Sequence, residues 1–152
     1  MSEIDKRRTP WHLWVVGIVT LLWNAVGAND YMQTQIGNLD YFRSMAGTVN
    51  VAPEVALAHF QGYPAWADAM WAIGVWGGLL GSLLLLLRSR WAVLVFGLSL
   101  LGIAGTTLFQ VISDKPEWAS GPFVTIMGIA VWSVATFLLI YAISLRRKGV
   151  LR

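Results

Sequence analysis

The sequence predicts an all-α integral membrane protein: a four-helix bundle with a structured outer loop between its first and second helices. Three observations predict it. Of 152 residues, 57% are hydrophobic and 12% charged, about half the charged share of an ordinary soluble domain. Four apolar runs are each long enough to cross a hydrocarbon core of about 30 Å as a helix. Basic residues gather at the ends of these runs, nine of eleven on one side. The length fits a single transmembrane domain over residues 1–152.

The first ten residues are polar and basic, with Lys6, Arg7 and Arg8 just before the first apolar run. That run, residues 11–29, begins with Trp11 and Trp14, where aromatic rings favour the headgroup region. A basic start followed by an apolar run and the small residues Val26 and Ala28 is also the pattern of a cleavable signal peptide. The length of the run favours an uncleaved anchor.

Residues 30–63 form the one long loop. Leu39, Phe42 and Met45 fall at helix-like spacing, and Pro53 followed by Glu54 suits a first helical turn. Val55, Leu57, Ala58 and Phe60 continue a short apolar element. A disordered linker carries fewer aromatics, so the loop is expected to cap the bundle.

The second span, residues 66–88, runs uncharged from Ala69 to Leu87 and stops on Arg88 and Arg90. The third, residues 91–113, follows after so short a turn that the two make an antiparallel hairpin. A polar loop leads to the fourth span, residues 121–145, with Ser120 as its expected cap and Pro122 in its first turn.

Nine lysines and arginines fall on one side of these spans: Lys6, Arg7, Arg8, Arg88, Arg90, Arg146, Arg147, Lys148 and Arg152. Two, Arg43 and Lys115, fall on the other. The positive-inside rule therefore expects both termini in the cytoplasm. The pI near 9.6 follows from the same bias and gives no reason to expect nucleic acid. With no cysteine, disulfides, thiolate metal sites and cysteine nucleophiles are excluded.

Helices in lipid associate by close packing, which small residues permit. The second span carries Gly74 with Gly78 and Gly77 with Gly81, two overlapping GxxxG patterns. Ser99, Gly102 and Thr106 share a face of the third span, and Gly121, Thr125 and Gly128 recur in the fourth. In the first, Gly17, Thr20, Asn24, Gly27 and Tyr31 recur at spacings of three and four. Two readings are open: packing within one bundle, or a face for a partner helix.

No Asp, Glu, Lys or Arg lies near the middle of any span, which argues against a proton-coupled carrier. Asn24 is the most polar residue well inside a span. It fits an interhelical hydrogen bond or a solute contact, with Trp23, Trp71, Trp76 and Trp132 as aromatic walls. Asp30 and Asp68 stand at the outer ends of the first two spans. They form a candidate carboxylate pair, or two independent charges of which Asp68 meets a helix dipole. His12 reads as an interfacial histidine, and His59 lies too far away to make a buried bis-histidine site. No nucleophile elbow, phosphate loop or HExxH motif occurs, so neither an enzyme nor a bound cofactor or metal is expected.

Several short stretches carry a resemblance. They are Asp30-Tyr31-Met32 with Thr34-Gln35, Tyr63-Pro64-Ala65-Trp66, Trp71-Ala72-Ile73, Val75-Trp76-Gly77-Gly78, Gly81 to Arg88, Trp91-Ala92 and Ser99-Leu100. Together they resemble a family of short four-helix proteobacterial inner-membrane proteins, some labelled "sugar transporter". The resemblance covers the first three spans and implies no functional residues. Two functions are expected from size, glycine faces and absent buried charge. One is a non-enzymatic accessory subunit of a larger membrane complex. The other is a small facilitator for a neutral solute such as a sugar, working as a homo-oligomer. Lipid and another membrane protein, or a second copy, are the expected partners.

Overall fold

The computed structural model describes residues 9–152. Lys6, Arg7 and Arg8 lie outside the described residues. Among the described residues six α-helices follow one another: α1 Trp11–Gln35, α2 Leu39–Val49, α3 Pro53–Gln61, α4 Ala65–Leu86, α5 Trp91–Ile112 and α6 Pro122–Arg147. Four of them, α1, α4, α5 and α6, are long and apolar enough to cross a membrane. The protein is therefore an all-helical, multi-pass membrane bundle. The short α2 and α3 lie across one end of it, called here the capped end. The α4–α5 turn and the end of α6 lie at the other, with Arg88, Arg90, Arg146, Arg147 and Lys148. This is the basic end.

Local chemistry sets the boundaries. Helix α1 runs to Gln35, six residues beyond the expected limit at residue 29. It stops where Gly37 takes a φ of +68° and Asn38 N–H donates back to the Gln33 carbonyl at 3.0 Å, a glycine-terminated Schellman cap. The expected loop at 30–63 is thus the last turn of α1 plus two helices. Pro53 and Pro122 both occupy first helical turns, where a missing N–H costs nothing. Ser120 does not cap α6. It ends a 3-10 turn over Glu117–Ser120, and Gly121 takes the N-cap position without a side-chain bond.

Helix α4 sits between α1 and α5, and its small residues do the packing. A Cβ at Gly74 would lie 3.3 Å from the Ile103 backbone nitrogen, and one at Gly77 2.9 Å from the Ser99 Cβ. At Gly81 it would lie 2.6 Å from the Phe96 ring, and at Gly102 2.6 Å from the Met70 carbonyl oxygen. Gly78 opposes Asn24 of α1, and Gly17 of α1 opposes Leu86. Ser99 donates to the Gly74 carbonyl at 2.6 Å, tying α5 to α4. Thr106 instead donates to Gly102 of its own helix at 2.9 Å. The glycine faces of α4 and α5 are thus occupied within this one chain. Gly128 differs, since a Cβ there would meet nothing within 4 Å.

The basic end holds the tight core. Leu13, Leu85, Ala92, Phe96, Leu138, Ala142 and Leu145 form one buried cluster drawn from all four long helices. Val150 and Leu151 complete it. They reach it because α6 ends in a second Schellman cap at Gly149, with φ +71°. The chain then doubles back along the α4–α5 turn. Arg152 N–H donates to the Arg88 carbonyl at 2.8 Å, and Arg90 N–H donates to the Arg152 carbonyl at 2.7 Å. On the same side His12 Nδ1 and the Tyr141 hydroxyl share a 2.5 Å hydrogen bond that joins α1 to α6.

Candidate functional site

Toward the capped end α1 and α6 no longer touch as they do at His12 and Tyr141. Between them lies a cavity of about 650 Å³. Trp23, Asn24, Val26, Gly27 and Asp30 of α1 line one wall, and Phe123, Val124, Met127, Gly128 and Val131 of α6 line the opposite one. Gly74 and Val75 of α4 with Ile103 and Gln110 of α5 form the back. The cap covers the end through Tyr41, Phe42, His59 and Phe60, and Trp118 joins from the 3-10 turn. Val26 is 65% exposed and Met127 40% although both line the cavity. The cavity is therefore open along the seam between α1 and α6, within the apolar lengths of both helices. Toward the basic end the leucine and phenylalanine cluster closes it.

The floor is polar. Asn24 donates to Ser82 of α4 at 3.1 Å and to the Thr20 carbonyl of its own helix at 2.8 Å. Ser82 passes a bond on to the Gly78 carbonyl at 2.9 Å. Asn24 thus makes the interhelical bond and also lines the cavity, so the two readings of this residue coincide.

The roof is aromatic. Tyr41 donates to the Asp30 carboxylate at 3.0 Å. Phe42 meets Phe60 at a ring separation of 6.3 Å, and Trp118 stands edge-on to both His59 and Phe60 at 5.2 and 6.2 Å. Gln110 of α5 donates to the Tyr63 hydroxyl at 3.3 Å, and Tyr63 also packs on Phe109. Gln61 fastens α3 to the end of α1 by donating to the Thr34 carbonyl at 3.1 Å. Burial and the neighbouring Asp30 charge push the Tyr41 phenol up to about 12, so it stays a proton donor at any ordinary pH. Burial also lowers the His59 pKa, favouring neutral imidazole.

Of the four expected tryptophan walls, only Trp23 reaches the cavity. Trp71 turns to the α1–cap side, with its ring 5.0 Å from Tyr31 and 5.8 Å from Phe60. Trp76 stands two residues from both Gly74 and Gly78, about 200° around the helix from either, and is 42% exposed on the far face. Trp132 spends its indole N–H on Thr107 of α5 at 3.1 Å. Asp30 and Asp68 share no donor. Asp30 takes Tyr41, whereas Asp68 takes Gln35 at 2.6 Å and Tyr31 at 3.4 Å. Asp30 and Tyr31 are adjacent on α1 and so point about 100° apart, which directs Asp30 toward Tyr41 of α2 and Tyr31 toward Asp68 of α4. Among the described residues no group of three His, Cys, Asp or Glu side chains converges as a metal site would require.

The cap residues Tyr41, Phe42, His59, Phe60 and Trp118 are absent from the sequence-derived site. For Tyr41, Phe42, His59 and Phe60 the signal is the aromatic content of residues 30–63, which also fits plain packing; Trp118, in the 3-10 turn, carries no such signal. Compared with known protein families, characterised proteins and solved structures, the chain matches none.

Proposed function

We propose that this is a non-enzymatic binding protein of a bacterial inner membrane, with its basic end in the cytoplasm. It takes up a small, mostly apolar molecule through the α1–α6 seam and releases it at the capped side or to a partner. One observation carries the reading: a cavity of about 650 Å³, open between the apolar faces of α1 and α6 and closed at the basic end. Its size falls in the range of small-molecule sites, about 300 to 1,000 Å³, and a few convergent polar groups among apolar walls are typical of them. A sugar suits it less, because most of the wall offers no hydrogen bond. The facilitator reading survives in altered form. Passage across the bundle requires the leucine and phenylalanine cluster to open, so the static geometry supports binding first and transport second.

The test is uptake of the neutral fluorophore N-phenyl-1-naphthylamine by purified protein in phosphatidylcholine nanodiscs, against empty discs. Binding is expected, and Gly128→Trp, which adds an indole where the structure has open space, should reduce it severalfold. Equal uptake by protein-loaded and empty discs would sink the reading.

An accessory-subunit role has its own support. Ile126 and Ile129 of α6 lie close together on one face and are 64% and 63% exposed, so a partner helix has an apolar face to meet. Mild-detergent purification with mass spectrometry separates the two. A stoichiometric partner favours the subunit, and a lone chain or homo-oligomer favours the binder.

A further inference from the structure

The cavity's charges are unevenly answered. Among the described residues, Asp30 is the one carboxylate on its wall. Among the described residues, both ion pairs involve Arg43, which meets Asp40 and Glu54, and neither involves Asp30. Its single side-chain donor is the Tyr41 hydroxyl. A carboxylate partly removed from water is costly unless it is paired and hydrogen-bonded, and one neutral donor meets only part of that need. The two basic residues that line the cavity do not supply the rest. Lys115 is exposed at the rim, and His59 is held toward its neutral form by burial.

The surroundings of this carboxylate are rings. Tyr41, Phe42, Phe60 and Trp118 follow one another along the roof, each within 6.3 Å of the next where rings meet, and Trp23 stands on the wall beneath. Aromatic faces attract cations, most strongly where water is excluded. A neutral apolar guest leaves Asp30 unanswered, and an anionic one is repelled by it.

Resting on the binding reading above, we propose that the ligand is a lipophilic monocation, whose charge sits beside Asp30 under the aromatic roof and whose apolar body fills the cavity toward Asn24. Entry along the α1–α6 seam suits such a molecule, because a lipophilic cation partitions into the membrane before it meets the protein.

The probes are tetraphenylphosphonium and triphenylphosphine oxide, which share aryl groups and differ in charge. Each is titrated against the whole chain in phosphatidylcholine nanodiscs, with empty discs subtracted and N-phenyl-1-naphthylamine as the competitor. The cation should displace the fluorophore about tenfold more tightly than the neutral oxide, as expected for a ligand that gains a charged partner. Asp30→Asn should abolish the preference, read by direct titration of each probe, while Asp30→Glu should keep it. Equal binding of the two probes, or a preference that survives Asp30→Asn, overturns the proposal while the binding site stands. Absence of fluorophore binding altogether removes the site and the proposal together. Should Asp30→Asn fail to fold, the wild-type preference and Asp30→Glu still decide.

Discussion

The basic half and the capped half of this bundle use the same four helices differently. At the basic half Leu13, Leu85, Phe96 and Leu138 are at most 2% exposed and touch one another across all four. At the capped half α6 stands away from α1, and Val26, Phe123 and Met127 stay exposed along the gap. Both halves are built from apolar residues, so composition does not distinguish them. Close approach does. In lipid an apolar side chain gains nothing by leaving solvent for a neighbour, and only fitted surfaces hold helices together. Glycines opposite side chains give that fit at Gly17 and Gly81 in the basic half. Gly128 in the capped half faces nothing.

The sharpest way to break this contrast is to place the same kind of change in each half. Gly81→Leu must displace Phe96 and should cost about 3 kcal/mol, read as lost folded yield or unfolding in mixed micelles. Gly128→Ala should instead be neutral or stabilise by about 0.5 to 1 kcal/mol, the helix-propensity gain of replacing glycine. Equal penalties would mean that the gap closes in the membrane.

Next in size, Leu13→Ala removes a fully buried side chain and should cost about 2 kcal/mol. Val26→Ala, with the same truncation sense beside the cavity, should cost under about 0.5 kcal/mol. The same unfolding assay compares them.

Smaller still is Tyr41→Phe, which removes the donor to Asp30 and should loosen the cap by about 1 kcal/mol. Hydrogen exchange across residues 39–49 would report it, with α4 and α5 unchanged. The smallest effect is a pH response. The folded pKa of His59 is below its unfolded value, so the unfolded state binds the proton more readily. Its effect is absent above about pH 6.5, and the cap loses stability as pH falls through that value toward the folded pKa. Exchange protection across residues 53–61, taken relative to the intrinsic rate at each pH, should fall between pH 7.5 and 5, and His59→Gln should abolish the change. A response that persists in the variant assigns it elsewhere.

The four long helices were legible because a bilayer allows few alternatives: length, hydropathy and flanking charge locate a span, and the ends fell within a few residues except at α1. There Asp30 and the polar residues after it read as loop, although the hydrogen-bond signal that stops a helix, Gly37, comes later. The glycine-to-neighbour packing of α4 was legible as a pattern, and its partners Phe96, Ser99 and Asn24 came only with the structure. The cavity was not legible at all. A void is a relation between helices, and no residue records that Phe123 and Val26 stand apart. The tryptophan walls failed for a related reason. Residue type suggested them, but helical register decides which ring faces inward, and Trp76 and Trp71 are in the wrong register for the gap.

Val150 and Leu151 lie in the core of the basic half, held there by the two backbone bonds between Arg152 and the α4–α5 turn. In chain order these residues come after α1, α4, α5 and α6. Until they dock, the α4–α5 turn lacks both of its backbone partners and the buried cluster lacks two of its side chains. Closing the bundle at this end is thus a docking step distinct from the crossing of the bilayer by the four long helices. A bulky group fused directly after Arg152 would act on that docking step before it touched anything in the cavity.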